Sequence, residues 1–271
     1  MPAVYAGLNL CGRQKVVMRL SSKKQRRKVV IAGRYMRSIQ YTLNSDPDVR
    51  RTRAPKTEIS SVAQEAMNLK HSWQKLKALL AANFAPTDLV VTLTYTDASL
   101  PPTRRAAENR LKLFIRRLRA ERRADGRDLK YIYVTELGHS SGRLHHHIIL
   151  NSTGQDFDAV RRLWSMDGDN IDFSPIWTKG YDGWARYLSK EPREIGRHYV
   201  GERMWRASMG LVKPRVYCGW VDASDRLTAP PGADVIDTLT RNNGYGEFAY
   251  IECMLPPDTT ADSLSLISDL G

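Results

Sequence analysis

The sequence has few cysteines and no long apolar run, and these absences exclude several classes of protein. Its 271 residues contain three cysteines, Cys11, Cys218 and Cys253, which are far apart and in no CxxC spacing. That number and spacing argue against a disulfide framework and against a structural zinc site. No stretch approaches the roughly 18 consecutive apolar residues of a membrane-spanning helix, and the first residues lack the charged start and apolar core of a secretory signal. We therefore expect a protein of the reducing cytoplasm with no membrane partner.

Acidic residues are scarce relative to basic ones. The chain holds 42 Lys+Arg against 29 Asp+Glu, a formal net charge of +13, and the imbalance is greatest in residues 1–70, with 15 against 4. Residues 221–271 reverse it, with 2 against 9. Such a basic chain attracts polyanions, of which nucleic acid is the commonest in the cytoplasm; a basic protein without a nucleic-acid role is the alternative. The 42% of hydrophobic residues are enough for a core and exclude disorder of the whole chain.

Composition and charge divide the chain into three regions. Residues 1–57 form a basic N-terminal region that we expect to be partly flexible, residues 58–220 a folded domain that starts with a helix, and residues 221–271 an acidic extension and tail with one strand at 248–255. In the first region a dense basic run separates two β-branched segments, VVMRL and VVIAGRY. It predicts either a charged turn between two short strands or a flexible arm. The basic residues of this run are Lys23, Lys24, Arg26, Arg27 and Lys28.

The middle region predicts an α+β fold. Helical spacing of apolar residues covers 58–84 and 103–123, β-branched runs cover 89–95, 129–137, 143–150 and 170–176, and two shorter helices cover 157–164 and 181–191. Because only residues 138–142 separate two of these strands, that pair should form an antiparallel hairpin. The order predicts a central antiparallel sheet with split βαβ (ferredoxin/RRM-like) topology and helices mainly on one face.

The strand at 143–150 carries the sharpest chemical signal, the sequence RLHHHIIL. Side chains alternate across a strand, so His145 and His147 share one face while His146 points to the other. Two imidazoles on one rigid strand suit a divalent metal ion; a histidine run on a wet strand face is the alternative. Across the hairpin, the Glu136 carboxylate can complete a two-histidine, one-carboxylate set with open positions for water or substrate. A solvated strand-end acid is the alternative for Glu136.

The predicted helix at 181–191 carries a second motif, because Tyr187 and Lys190 are three residues apart and share one side. Tyrosine is a poor nucleophile at neutral pH. A metal-polarised phosphodiester lowers the demand on it, and a nearby ammonium group stabilises developing negative charge. The alternative is an amphipathic helix with Tyr187 in the core and Lys190 at its edge.

Together these motifs resemble those of the HUH endonucleases, and more closely those of the rolling-circle replication initiator (Rep) proteins of small phages and plasmids. The segment GERMWRASMGLVKP at 201–214 resembles the stretch that follows the tyrosine helix in phage-type initiators, so the resemblance covers roughly residues 87–217. The family usually has a hydrophobic residue in the middle of the histidine motif, and His146 at that position suggests a partly wet face. The matching residues are Glu136, His145, His147, Tyr187 and Lys190.

The resemblance implies a metal-dependent endonuclease domain at 58–220 that nicks and joins single-stranded DNA. His145, His147 and Glu136 would hold Mg²⁺ or Mn²⁺. Tyr187 would attack the scissile phosphate, leaving a 5′-phosphotyrosine link and a free 3′-OH, and Lys190 would position the tyrosine or stabilise charge. The substrate would be a single-stranded replication origin, with a hairpin expected, in the cytoplasm of a bacterial host. No GxxxxGK[ST] loop is present, so a host helicase is expected to unwind the DNA and a host polymerase to extend it.

Three alternatives to this interpretation follow from the sequence. Some phage initiators carry two tyrosines one helical turn apart, but Tyr181 lies six residues before Tyr187 and Tyr199 lies beyond Pro192, which favours a single nucleophile. A single-tyrosine transposase or a relaxase would share the chemistry, although relaxases usually have the tyrosine ahead of the histidines. A non-catalytic DNA-binding regulator with the same fold would bind DNA without a covalent link.

Basic and aromatic residues outside these motifs are candidates for DNA contacts, with a solvated charged face or a core position as the alternative for each. Arginines of the helix at 103–123 can follow a phosphate backbone, and the N-terminal basic run is a candidate for duplex binding. Trp164, Trp177 and Trp184 are candidates for base stacking. The basic candidates are Arg116, Arg117, Arg119, Arg143, Lys23, Lys24, Arg26 and Arg27.

Overall fold

The structure is a computed structural model that describes residues 24–43, 62–138, 142–165, 170–189, 205–243, 246–259, 261–264, 267 and 270. The strands are β1 (Lys24–Ala32), β2 (Tyr35–Thr42), β3 (Leu89–Leu93), β4 (Tyr131–Leu137), β5 (Leu144–Leu150), β6 (Ile171–Pro175), β7 (Arg206–Ala207), β8 (Arg215–Asp222), β9 (Asp234–Asn243) and β10 (Gly246–Met254). The α-helices are α1 (Val62–Asn83), α2 (Arg104–Ala124), α3 (Asp156–Trp164) and α4 (Gly180–Tyr187). Among these helices none is both long and apolar enough to cross a lipid bilayer.

The central sheet consists of β3 to β7 in the order β6-β3-β5-β4-β7, and every neighbouring pair is antiparallel. Its chain order, β3-α2-β4-β5-α3-β6, is the split βαβ arrangement and is compatible with a ferredoxin-like fold. The predicted α+β class with an antiparallel sheet is therefore confirmed. The helices and strands predicted between residues 62 and 189 are all present and differ from the prediction only at their ends.

Helices cover both faces of the central sheet. The two crossover helices, α2 and α3, pack on one face around a core that includes Leu111, Phe114 and Trp164. Helices α1 and α4 pack on the other face around Leu76, Leu80 and Trp184. The prediction of helices mainly on one face holds for the two crossover helices, while α1 and α4 lie on the other face. Because β3, β4 and β5 have apolar side chains on both faces, helices must shield both faces from water.

A second five-stranded sheet joins the two ends of the chain, in the order β8-β1-β2-β10-β9. The basic run lies in β1 of this sheet, so for its described residues the prediction of a charged turn or flexible arm is wrong. Alternate residues of β1 are buried, and the buried Arg27 guanidinium group donates hydrogen bonds to Gln40 Oε1 on β2 at 3.0 and 2.7 Å. The hairpin turn is instead at Gly33 and Arg34. Lys23 and the VVMRL segment lie outside the described residues.

The acidic extension contributes more strands than its composition predicted. The strand predicted at 248–255 corresponds to β10, and β9 and the end of β8 also fall within 221–271. Because β8 crosses residue 220 and pairs with β1 from the N-terminal region, the second sheet contains strands from all three predicted regions. The predicted domain boundaries themselves stay predictions.

Helix α1 connects the two sheets. Its Ala78 packs against Ala32 and Tyr35 of the second sheet, while its Leu76 and Leu80 pack on the central sheet. The approach is so close that a Cβ on Gly33 would lie 2.7 Å from the carbonyl oxygen of Ala81. This packing holds the second sheet against the side of the central sheet that carries α4.

Candidate active site

Three of the predicted site residues lie together on one face of the central sheet. In the β4–β5 hairpin, Glu136 is the direct partner of His145, and His147 follows two residues later on the same face. The ligand atoms of these three side chains all lie within 4.8 Å of one another. The predicted alternation of the histidine motif is therefore confirmed, because the strand period of two places both outer histidines beside the carboxylate.

The cluster is buried, and its donor set is suited to a divalent ion. Glu136 Oε2 lies 3.8 Å from His145 Nε2 and 3.7 Å from His147 Nε2, and the carboxylate is almost fully covered. Two imidazole nitrogens and one carboxylate oxygen form a common set of ligands for a divalent metal. A buried carboxylate between two histidines also gains from a positive ion that offsets its desolvation. The residues present thus fit a metal ion, although they do not specify which.

Hydrogen bonds orient both histidines towards the carboxylate. His145 Nδ1 lies 3.3 Å from the carbonyl oxygen of Arg143, and since a carbonyl only accepts, Nδ1 carries the proton and Nε2 the lone pair. His147 Nδ1 lies 3.0 Å from Thr92 Oγ1 on β3, which can hold that ring in the same tautomer. In both histidines Nε2 then points at Glu136, as a metal ligand requires.

The middle histidine lies in the core on the opposite face. His146 is fully buried, with Nε2 2.6 Å from Tyr95 Oη and Nδ1 2.8 Å from Thr135 Oγ1. Burial, together with nearby His145 and Arg104, lowers the pKa of His146 to about 3, so the ring is neutral at physiological pH. The expectation of a partly wet face is wrong, because two hydroxyl groups satisfy the ring inside the core.

Helix α4 brings Tyr187 to the histidine cluster. Tyr187 Oη lies 3.3 Å from His147 Nε2, and the two ring centroids are 4.9 Å apart. The tyrosine is half-buried, so its ring packs on the sheet while its hydroxyl group reaches the cluster. Tyr181 on the same helix is used differently, since its hydroxyl group donates to the carbonyl oxygen of Phe84 at 2.6 Å. Lys190 and Tyr199 lie outside the described residues.

A lysine that the sequence motifs did not identify lies against Tyr187. Lys179, just before α4, has its Nζ 3.9 Å from the centroid of the Tyr187 ring and 4.5 Å from that of Trp184. A cation over an aromatic face is attracted electrostatically and favours negative charge on the ring. Neither Lys179 nor Thr92 belongs to a motif. The position of Lys179 beside Tyr187 depends on where α4 begins and on how it packs on the sheet, and the sequence alone does not give either.

A cleft of about 580 Å³ opens beside the cluster, at the end of β3 and the start of β5. His145 and Arg143 line it, together with Thr94 and Asn170. The Arg143 guanidinium group pairs with Asp97 and donates to the carbonyl oxygen of Tyr95 at 2.8 Å, so it is fixed at the wall of this cleft. The cleft therefore opens to solvent on the side of the site where His145 is half-buried.

The other predicted DNA contacts are spread over the molecule. Helix α2 packs on the face of the central sheet opposite the cluster, so its arginines do not face the site. Arg116 is exposed, Arg117 is half-buried, and Arg119 stacks on Tyr131 with 5.6 Å from its guanidinium carbon to the ring centroid. On β1, Lys24 is exposed, Arg26 lies over the Trp220 ring, and Arg27 is buried.

The three tryptophans considered for base stacking also differ in position. Trp164 and Trp184 are buried in the cores on opposite faces of the central sheet, whereas Trp177 is 65% exposed. Only Trp177 among them presents a face to solvent.

Comparison with known proteins agrees with this geometry. Searches of curated proteins and of solved structures found no match for the chain. Residues 88–192 match the model of the family described as Replication-associated protein ORF2/G2P. The matched segment runs from just before β3 to just beyond α4, and so contains Glu136, both outer histidines and Tyr187. Over these 105 of its 271 residues the chain is similar to replication-associated proteins, which is consistent with a rolling-circle initiator.

Proposed function

We propose that this protein nicks and joins single-stranded DNA with Tyr187 as nucleophile, and thereby initiates rolling-circle replication of a phage or plasmid. The observation that carries this proposal is the position of Tyr187 Oη, 3.3 Å from His147 Nε2 and thus beside the Glu136–His145–His147 cluster. The match of residues 88–192 to a replication-associated family supports the biological role.

The proposed reaction is a transesterification at one phosphodiester. The Tyr187 oxygen forms a bond to phosphorus, the bond from phosphorus to the 3′-oxygen breaks, and the hydroxyl proton of the tyrosine passes by way of solvent to the leaving 3′-oxygen. The products are a 5′-phosphotyrosine and a free 3′-OH, and the number of phosphoester bonds is unchanged. Reversal with another 3′-OH joins the strand, which accounts for both nicking and joining.

The residues around Tyr187 have separate parts in this step. His145, His147 and Glu136 would hold Mg²⁺ or Mn²⁺, and a bound ion would polarise the scissile phosphate and offset its charge. Lys179, over the face of the Tyr187 ring, favours negative charge there as the proton leaves. We assign Lys190 the same supporting role from its place in the motif.

Substrate access fits the cleft beside His145. A phosphate entering there would meet Arg143 and His145, the member of the cluster that lines the cleft. We propose that Arg143 binds a phosphate next to the scissile one, because its guanidinium group is already oriented by Asp97. Contacts by Arg116, Arg117 and Arg119 would need DNA that reaches the opposite face of the sheet.

The test is covalent capture of DNA. The protein is incubated with single-stranded oligonucleotides that tile its own replicon, with Mn²⁺, and a denaturing gel is read for a protein–DNA adduct. We expect an adduct that Tyr187→Phe and EDTA both abolish and that the matched variant Tyr181→Phe keeps, because the Tyr181 hydroxyl group is bonded to Phe84 away from the cluster.

Two results would contradict the proposal, and a third would revise it. An adduct that survives Tyr187→Phe would assign the nucleophile elsewhere. DNA binding with no adduct from any oligonucleotide would favour a non-catalytic DNA-binding regulator. An adduct that survives EDTA would remove the metal from the mechanism while leaving the tyrosine in place.

A further inference from the structure

One face of the second sheet carries aromatic and basic side chains in a straight line across all five strands. The pairing registers place five residues side by side, and direct partners in a sheet point to the same face. At about 4.8 Å between strands the line is roughly 19 Å long. From β8 to β9 the aromatic row, as we call it, is Trp220, Arg26, Tyr41, Phe248 and Arg241.

The neighbouring line on the same face adds one more aromatic ring and one more cation. Lys28 and Tyr250 lie two residues along their strands from Arg26 and Phe248, and the Phe248 and Tyr250 rings are 6.1 Å apart. These two lines contain three basic residues and no acidic one. Acids on this face lie in the flanking lines. On one side Asp222 is the direct partner of Lys24. On the other side Asp237 accepts from Tyr250 Oη at 2.6 Å, and Glu252 pairs with Arg37 and the buried Lys77.

The aromatic row is accessible within the part of the chain that the structure describes. Helix α1 packs on this face over Tyr35, which is six residues and about 20 Å along β2 from Tyr41. Its earlier turns border a cleft beside Tyr250 and are not packed on the aromatic row. Trp220 is 37% exposed, Arg241 is exposed, and the remaining three side chains are half-buried. The reverse face of the sheet is packed by the C-terminal segment around Leu255 and Leu264.

We propose that the aromatic row binds single-stranded nucleic acid, with bases stacked on its rings and phosphates held by its cations. Exposed rings on a sheet bind unpaired bases, whose faces are open, and duplex bases are already stacked on one another. The positive charge of the two lines complements a phosphate backbone. This inference deepens the proposed function, because it assigns a place to the DNA strand outside the site of chemistry.

The path from the aromatic row to the active site has further aromatic and basic residues along it, together with two acids, Asp237 and Glu252. A cleft of about 450 Å³ between the second sheet, α1 and α4 is bordered by Tyr250, Trp73 and Arg186. The guanidinium carbon of Arg186 lies 3.9 Å from the centroid of a Trp73 ring, and Arg186 precedes Tyr187 in α4. A strand on the aromatic row can therefore continue along this cleft to the helix that carries the nucleophile.

The experiment measures binding of a fluorescein-labelled 20-nucleotide oligo-dT by anisotropy over a range of salt concentrations. Loss of one stacking ring in Phe248→Ala should raise the Kd about fivefold or more. Loss of one phosphate contact in Arg241→Gln should make the slope of log K against log salt shallower by about 0.7. The matched controls are Phe157→Ala, which removes a partly exposed ring on α3, and Arg162→Gln, which removes an exposed cation there.

Thermal melting shows whether each variant is folded. Because Arg241 is exposed on an edge strand, Arg241→Gln still tests nucleic-acid binding by the aromatic row if Phe248→Ala unfolds. Ultraviolet crosslinking of the wild-type complex should give labelled peptides that contain Trp220 or Phe248. Binding equal to wild type in both variants would overturn the proposal, as would an equal loss of affinity for duplex DNA. A change of molecular mass in the variants without DNA would instead identify the face as a contact between copies of the chain.

These outcomes are separate from those of the covalent assay. Weakened oligo-dT binding in the variants, with no adduct from any origin oligonucleotide, would support the aromatic row and refute the proposed chemistry. If the variants form the adduct normally and bind oligo-dT as the wild type does, the proposed chemistry is supported and the aromatic row is refuted.

Discussion

Lys77 is the residue whose replacement best tests how the second sheet is attached to the helix that carries Tyr187. It is a buried lysine of α1, with its Nζ in contact with Glu252 of β10 and 3.0 Å from Asp182 Oδ1 of α4. The ammonium group also lies 5.2 Å from the centroid of the Tyr35 ring. Lys77 thus joins three elements, and we predict that Lys77→Met destabilises the protein by about 3 kcal/mol.

The magnitude follows from what the substitution leaves behind. Removal of one partner from a buried ion pair costs about 3–5 kcal/mol, because the other charge stays buried alone. Here Glu252 keeps Arg37 at 3.2 Å and Asp182 keeps Arg186 at 2.7 Å, and the Asp182 side chain is 37% exposed and so partly screened. These remaining pairs favour the lower end of the range, and methionine preserves the length and apolar contacts of the lysine stem.

Urea unfolding followed by circular dichroism measures the effect. The midpoint should fall while the m-value stays unchanged, as expected when stability changes without a change in the surface exposed on unfolding. Lys75→Met, at an exposed position of the same helix, is the matched control and should change stability by less than about 0.5 kcal/mol. A loss below about 1 kcal/mol for Lys77→Met, or a gain, would refute the reasoning and show that the ion pairs merely repay their own desolvation.

Three further predictions concern the metal cluster, a buried ion pair and a close approach. Mn²⁺ should raise the melting temperature of the wild type, with a stabilisation of about 2.7 kcal/mol when its concentration is 100 times its Kd. Glu136→Gln should abolish this rise, and an equal rise in the variant would exclude the carboxylate as a ligand. Burial opposes ionisation of Asp156, but hydrogen bonds and an ion pair hold the pKa of this carboxyl group below its usual value. Its stabilisation is therefore present above about pH 4 and lost as the pH falls further, and Asp156→Asn should flatten the acid side of a plot of unfolding free energy against pH. Gly33→Ala should cost more than 1 kcal/mol in denaturant unfolding, because its φ is +56° and the new Cβ would meet Ala81 O at 2.7 Å; Gly126→Ala, with φ +68° and nothing within 4 Å, measures the backbone strain alone.

The arrangement of the cluster could be predicted from sequence because it depends on local rules. The strand period of two separates His146 from His145 and His147, and the short connection between the two strands fixes which residues of β4 face them. Glu136 therefore lies opposite the histidines for reasons contained in about 15 residues of sequence. The roles of these residues in catalysis stay predictions.

The second sheet could not be predicted, because its pairings join residues far apart in the chain. No local pattern indicates that β1 pairs with β8, about 190 residues later. The basic run predicts a turn or an arm if every arginine is assumed to be in water. In the structure Arg27 is buried instead, and its hydrogen bonds to Gln40 offset the cost of its desolvation. Similarly, the core position of His146 depends on hydroxyl groups of Tyr95 and Thr135 that neighbouring strands bring to it.

The order of strands in the second sheet has a consequence for synthesis. The β1–β2 hairpin leaves the ribosome about 170 residues before β8, a wait of roughly 10 to 35 seconds at ordinary rates of translation. During that time neither of its future neighbours exists, since β1 pairs with β8 and β2 with β10, so both edges of the hairpin are open to other nascent chains. Arg26, Arg27 and Lys28 lie on one of those edges, and charged residues there oppose pairing between chains. Replacing the three with threonine should increase aggregation of chains truncated before β8, which would show that the charges protect the nascent chain before the second sheet is complete.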